Sequence, residues 1–160
     1  MISRRSFVGQ AAGFGLGLAG GKSLWAATPG SAADPTMTIY MSPTCGCCAK
    51  WVDHVKAAGF KTVVHEEQDM DTVKASLGVP QEMRSCHTAQ VDKYLIEGHV
   101  PAGDIRKLLA QQPKAAGLAA PGMPASSPGM AVAGEPYEPF EVLLFRGDGS
   151  TEVFAKHVSS

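Results

Sequence analysis

The residues best suited to demanding chemistry in this 160-residue chain are its four cysteines. Three fall within four positions, Cys45-Gly46-Cys47-Cys48, and the fourth, Cys86, is followed directly by His87. Crowded thiols can exchange disulfides, hold metal, or do both. Cys45 and Cys48 form a C-x-x-C pair. On a helix such a pair shares one face, with β-carbons roughly 5–6 Å apart, and a helix N-terminus favours thiolate over thiol. Cys47 lies about 100° around the helix from Cys48 and needs local distortion to reach the same spot. That spacing disfavours a single tetrahedral zinc ion. It suits several Cu(I) ions, because thiolates bridge soft monovalent ions and thiolate and thioether ligands select Cu(I). Two structural disulfides are the plain alternative. Adjacent cysteines rarely pair with each other, and a domain of this size needs no staples.

Other donors surround the thiols in sequence. His87 is a candidate ligand, proton acceptor or loop hydrogen-bond partner, and His99 sits at a turn as a further candidate. His54, His65 and His157 read as surface residues. Met37 and Met83 read as core filler. Met41, four residues before Cys45, could flank the site. Met123 and Met130 occur in a near-repeat, Pro121-Gly122-Met123-Pro124 and Pro128-Gly129-Met130. A Gly/Pro stretch has no core to fill, so both are candidate copper ligands or parts of a cover. No phosphate-binding glycine loop, hydrolase elbow or paired catalytic carboxylates stand out, and Glu66-Glu67-Gln68-Asp69 reads as a solvated acidic patch.

The elements that must position these groups follow from periodicity. Met37 to Ser42 reads as a strand closed by Pro43. Thr44 is a candidate N-cap for a helix from about Cys47 to Ala58, with Val52 and Val55 on its apolar stripe and Gly59 as its stop. Phe60 to Val64 reads as a second strand, and Asp71 to Leu77 as a short helix. Gln81 to Ala89 reads as irregular and Val91 to Glu97 as one strand or hairpin arm. Pro101 opens a helix over Ala102 to Gln111. Residues 113–139 read as a Gly/Pro/Met-rich loop, long enough to be functional. Phe140 to Phe145 and Thr151 to Ala155 close the chain as a hairpin. The order begins β-α-β with cysteines at the strand-to-helix turn, the position of the redox motif in thioredoxin-like folds. The expected class is therefore α/β: a thioredoxin-like domain with a central sheet flanked by helices and a C-terminal β-hairpin. In such domains the loop before the third core strand faces the dithiol, which places Cys86 opposite the other three.

Residues 1–33 read as a twin-arginine-type signal peptide. Ser3-Arg4-Arg5-Ser6-Phe7-Val8 is followed by a mildly apolar, glycine-rich stretch that makes a poor spanning helix. Ser31-Ala32-Ala33 and Trp25-Ala26-Ala27 offer small residues for cleavage. The expected product is one periplasmic domain, residues 34–160, with no membrane association. The stretch holds Arg4, Arg5 and Lys22 and no acid, so the remaining residues carry 11 basic against 15 acidic side chains, about −4. That balance argues against nucleic acid and is compatible with cations.

Four motifs in order carry a resemblance. They are Ser42-Pro43-Thr44-Cys45-Gly46-Cys47-Cys48, then Ser85-Cys86-His87-Thr88-Ala89, then Glu97-Gly98-His99-Val100-Pro101-Ala102. The fourth is the loop Gly117-Leu118, Pro121-Gly122-Met123-Pro124 and Ser127-Pro128-Gly129-Met130. From about Thr38 to Phe154 the chain resembles the periplasmic copper-resistance CopG-like family, which is distinct from the plasmid repressor sharing that name. The resemblance implies a thioredoxin-like domain, copper bound by Cys45, Cys47, Cys48 and Cys86, and a part in copper tolerance through Cu(I)/Cu(II) interconversion. Ala120 stands where a valine is expected and Ala125-Ser126 where a glycine is common. Both are packing changes that leave the sulfur set intact.

The leading expectation is a periplasmic copper-binding protein with a polynuclear Cu(I)-thiolate site, its partners being copper ions and periplasmic copper-handling proteins. A thiol-disulfide oxidoreductase using Cys45 and Cys48, with Cys47 or Cys86 as resolving thiol, is the second expectation. A copper metallochaperone is the third.

Overall fold

The computed structural model describes residues 35–159; the signal-peptide reading lies outside them. Among these residues no helix is long and apolar enough to cross a membrane. The elements run β1 (Thr36–Met41), α1 (Gly46–Ala57), β2 (Lys61–Glu66), α2 (Met70–Ser76), a 3-10 turn (Gln81–Met83), β3 (His87–Val91), β4 (Tyr94–Gly98), α3 (Ala102–Gln111), β5 (Gly117–Ala120), β6 (Phe140–Phe145) and β7 (Thr151–His157). One seven-stranded sheet has the order β2-β1-β3-β4-β5-β6-β7. β1 pairs with β2 in parallel and with β3 antiparallel, and β3 and β4 form an antiparallel hairpin. This four-stranded half, with α1 and α3, is the expected thioredoxin-like α/β core.

Hydrophobic spacing explains the helices. Cys48, Trp51, Val52 and Val55 recur at helical intervals on α1 and are all buried. They pack with Met37 and Ile39 of β1, Ala89 and Val91 of β3, Ile96 of β4 and Ile105 and Leu108 of α3. The Trp51 indole N–H donates to the Val100 carbonyl at 2.9 Å, which ties α1 to the segment after β4. His54 Nε2 accepts the Ala102 amide at 3.0 Å, filling one of the donors left free at the start of α3.

Three expectations change. The strand expected over Val91 to Glu97 is two strands: Asp92, at φ 53°, turns the chain between β3 and β4. The segment expected to be irregular up to Ala89 already enters β3 at His87. Polar His87 and Thr88 hid the strand, yet both are fully buried. Most of all, the Gly/Pro stretch contains β5, four buried residues paired in parallel with β4. Gly117 is required there, because a β-carbon would collide with the Leu95 carbonyl oxygen. β6 and β7 then extend the sheet as the expected C-terminal hairpin.

Candidate metal centre

Helix α1 begins one residue after Cys45, which is itself the N-cap, with φ −84° and ψ 89°. Thr44 makes no cap; its hydroxyl lies 3.1 Å from that of Ser42. Because Cys45 stands outside helical geometry, its sulfur reaches both neighbours. It is joined to Cys48 in a disulfide and lies 3.5 Å from the Cys47 sulfur. The expected divergence of Cys47 is thereby overturned: the four sulfurs of Cys45, Cys47, Cys48 and Cys86 all lie within 4.8 Å of one another. Four thiolates around one zinc ion stand about 3.8 Å apart, taking Zn–S near 2.3 Å. After reduction of the disulfide, the cluster therefore admits a single tetrahedral ion as well as bridged soft ions, and softness rather than spacing favours copper.

Cys86 approaches from the loop before β3. It is half-buried, and burial, followed by the neighbouring Cys47 thiolate, pushes its thiol up to about 11. It stays protonated at neutral pH until a cation compensates the thiolate, so metal binding there releases a proton. His99 supports it. The Nδ1 of His99 lies 2.7 Å from the Pro128 carbonyl, which can only accept, so Nδ1 carries the hydrogen. The Nε2 lone pair then faces the Cys86 sulfur at 3.0 Å. A carbonyl fixing the far nitrogen of an imidazole is a usual support for a metal-ligating histidine. Burial lowers the His99 pKa, partly opposed by the Pro128 contact.

His87 is fully buried; its Nδ1 lies 3.4 Å from the Cys86 sulfur and its Nε2 has no partner. Burial, then the nearby His99 and Lys74 charges, hold its pKa well below the usual value. Cys86, His87 and His99 offer a second set of ligand atoms within 4.8 Å of one another. The site thus grades from four sulfurs to a sulfur with two imidazoles, sharing Cys86.

The loop covers this arrangement. Gly129, at φ 87°, lies so close that a β-carbon would sit 2.8 Å from the Cys47 carbonyl oxygen and 2.9 Å from the Trp51 nitrogen. Ser127 is fully buried. Met123, 43% exposed, lines a hollow with Arg84, Ser85, Cys86 and Gly122. Met130 lines a different hollow, within the loop itself and beside Tyr137. Met41 is buried in the core, opposite His87 in the β1–β3 register. Of the histidines read as surface residues, His65 is exposed, whereas His54 and His157 are half-buried. His157 pairs with Asp104 at 2.7 Å. Behind Cys86 lies a buried ion pair, Lys74 to Glu97 at 2.6 Å, that the motif reading missed. Its signal was a glutamate ending the apolar run Tyr94-Leu95-Ile96.

A solved structure described as copper resistance protein CopG, Form 2, is 41% identical, covering 78% of this chain and 99% of its own at a TM-score of 0.73. The chain belongs to the CopG copper-resistance family. A second CopG structure, Form 1, matches at 41% identity over 79% of this chain and 100% of its own, with a TM-score of 0.72. A family model described as a protein of unknown function, DUF411, matches residues 83–130. That span contains Cys86, His87, Glu97, His99, Met123 and Met130 and excludes the three clustered cysteines. No curated protein matches. Membership of the CopG family together with the cysteine cluster supports copper as the metal.

Proposed function

We propose that this CopG-family chain binds copper in the periplasm as a polynuclear Cu(I)-thiolate site on Cys45, Cys47, Cys48 and Cys86, and interconverts Cu(I) and Cu(II). The observation that carries the reading is the convergence of four sulfurs within 4.8 Å. His99 and His87 serve the nitrogen-rich edge, and Met123 and Met130 belong to the cover. The sulfurs prefer Cu(I), whereas imidazole also suits Cu(II), so one site can address both states. The redox step balances: while Cys45 and Cys48 are joined, two Cu(I) ions held by Cys47, Cys86 and the imidazoles reduce the disulfide with uptake of two protons, giving two thiols and two Cu(II). The reverse step re-forms the disulfide and releases two protons.

The test is metal content and thiol titration of protein purified from copper-fed periplasm without reductant. More than one copper per chain, with four thiols protected until a chelator is added, is the expected result. Metal-free protein that still refuses Cu(I) after reduction would sink the reading. Residues 1–33 act here as a twin-arginine signal; replacing both Arg4 and Arg5 by Lys should leave the protein in the cytoplasm on fractionation.

A second reading, thiol-disulfide exchange, draws on the Cys45–Cys48 disulfide and on Cys47 only 3.5 Å from Cys45. Cys47→Ser separates the two. It lowers copper stoichiometry under the first reading and leaves Cys45–Cys48 exchange largely intact under the second.

A further inference from the structure

Glu97 ends an apolar run on β4, and its carboxylate is fully buried. Oε1 accepts the Lys74 ammonium and the Ser85 backbone N–H, each at 2.6 Å. Oε2 accepts the Thr88 hydroxyl at 2.6 Å, and Lys74 also donates to that hydroxyl at 2.8 Å. One carboxylate therefore grips the residue before Cys86 and the residue after His87. Four pieces of chain meet there: α2, the loop before β3, β3 itself and β4. Two residues beyond Glu97, past Gly98 at φ 71°, stands His99. A β-carbon on Gly98 would meet the Ser85 side chain at 2.6 Å, so the Ser85 turn is packed as well as hydrogen-bonded.

Fold stability does not account for this arrangement. Removing two charges from water opposes their attraction, and a buried ion pair replaced by apolar residues of similar volume is often neutral or stabilising. Position does account for it: Cys86, at the end of an irregular loop, and His87, the first residue of β3, lie between the two anchor points.

We propose that Glu97 and Lys74 form a positioning clamp that holds Cys86 and His87 at the separation a shared metal site requires; this rests on the copper-thiolate reading above. The clamp touches no copper. It acts through the Ser85 amide and the Thr88 hydroxyl, in the manner of the outer hydrogen bonds that orient metal ligands.

The experiment uses the reduced intact protein and two variants, Glu97→Gln and the double variant Lys74→Met with Glu97→Leu. Three quantities are read: melting temperature, the rate at which iodoacetamide alkylates Cys86 in metal-free protein, and Cu(I) affinity by competition with a chromophoric chelator. The double variant should still melt cooperatively, somewhat lower than the parent because the Ser85 amide and the Thr88 hydroxyl lose their acceptor. Its Cys86 should nevertheless alkylate roughly tenfold faster, the scale of one lost charge-assisted hydrogen bond. Its copper affinity should fall about 10- to 100-fold, as for outer-shell changes generally. Glu97→Gln should move both readouts the same way by less. In the unsubstituted protein the Ser85 amide should exchange slowly with deuterium. A folded variant with unchanged alkylation and affinity would overturn the clamp, as would a fast-exchanging Ser85 amide, which needs no variant at all. If the parent takes up no Cu(I), the copper reading falls, while alkylation and amide exchange still judge the clamp.

Discussion

The two arms of the thiol cluster are built differently. Cys45, Cys47 and Cys48 are held by short-range geometry: one N-cap, one helix start and one disulfide fix all three. Cys86 is held by groups far away in sequence, with Glu97 beneath its flank, His99 beside it and Met123 at its rim. The first arm needs only α1 and its N-cap in place. The second depends on α2, β4 and the loop after β5 being in place together. Ligands on the first arm are therefore always near one another, and assembly of the whole site is decided at Cys86.

Cys86→Ser tests this most severely. It should leave the Cys45–Cys48 disulfide reducible as before. Cu(I) affinity should drop by more than about 100-fold, above the range for outer-shell partners, as read by chelator competition. Equal loss from Cys47→Ser and Cys86→Ser would erase the distinction between the arms.

Gly129→Ala comes next, because it strikes where the loop meets both arms. A left-handed backbone and a β-carbon 2.8 Å from the Cys47 carbonyl should destabilise the fold by about 1–3 kcal/mol in urea unfolding. The His99 to Pro128 contact should loosen with it, broadening the imidazole NMR signals.

Acid should act on the second arm. His87 is buried and its pKa is held well below the ordinary value, so between its folded pKa and about 6.5 the unfolded chain binds the extra proton. Stability of the metal-free protein should thus be full above about pH 6.5 and fall as pH drops below it, by up to about 1.4 kcal/mol per pH unit for this group. His99 and His54, both lowered by burial, add in the same direction. His87→Phe should flatten the slope; an unchanged slope would remove His87 from the account.

The smallest effect belongs to Met123→Leu. The side chain is 43% exposed at the rim, so stability should stay within about 0.5 kcal/mol. A loss of affinity beyond a few-fold would promote the thioether from cover to ligand.

The first arm was legible in the sequence and the second only in part, for a physical reason. Helical periodicity exposes α1 and α3, and the C-x-x-C spacing exposes its own chemistry, because those signals are local. The placement of Cys86 opposite the other thiols followed from fold analogy alone. β3 was obscured because buried His87 and Thr88 look polar, and β5 because Gly117, Ala119 and Ala120 look like linker. Small residues there answer to the close approach of β4, which no local pattern records. The reach of Cys47 was hidden because its offset of about 100° from Cys48 reads as divergence, whereas Cys45, capping the helix from outside helical geometry, brings its sulfur to 3.5 Å from that of Cys47. Lys74 and Glu97 were invisible as a pair, since 23 residues separate them and only the packing of α2 on the sheet brings them together.

The loop over residues 121–139 leaves from the end of β5 and returns at the start of β6, which are neighbouring antiparallel strands. Its two feet are thus fixed by the sheet, whatever lies between them. Closing such an excursion costs only about 0.6 kcal/mol more for each doubling of length. The exposed stretch 131–139 can accordingly change length at little thermodynamic cost, whereas Ser127 to Gly129, packed against Cys47, Trp51 and His99, cannot. The outer span of the shelter is free to vary, while the part resting on the thiols is as fixed as the frame beneath it.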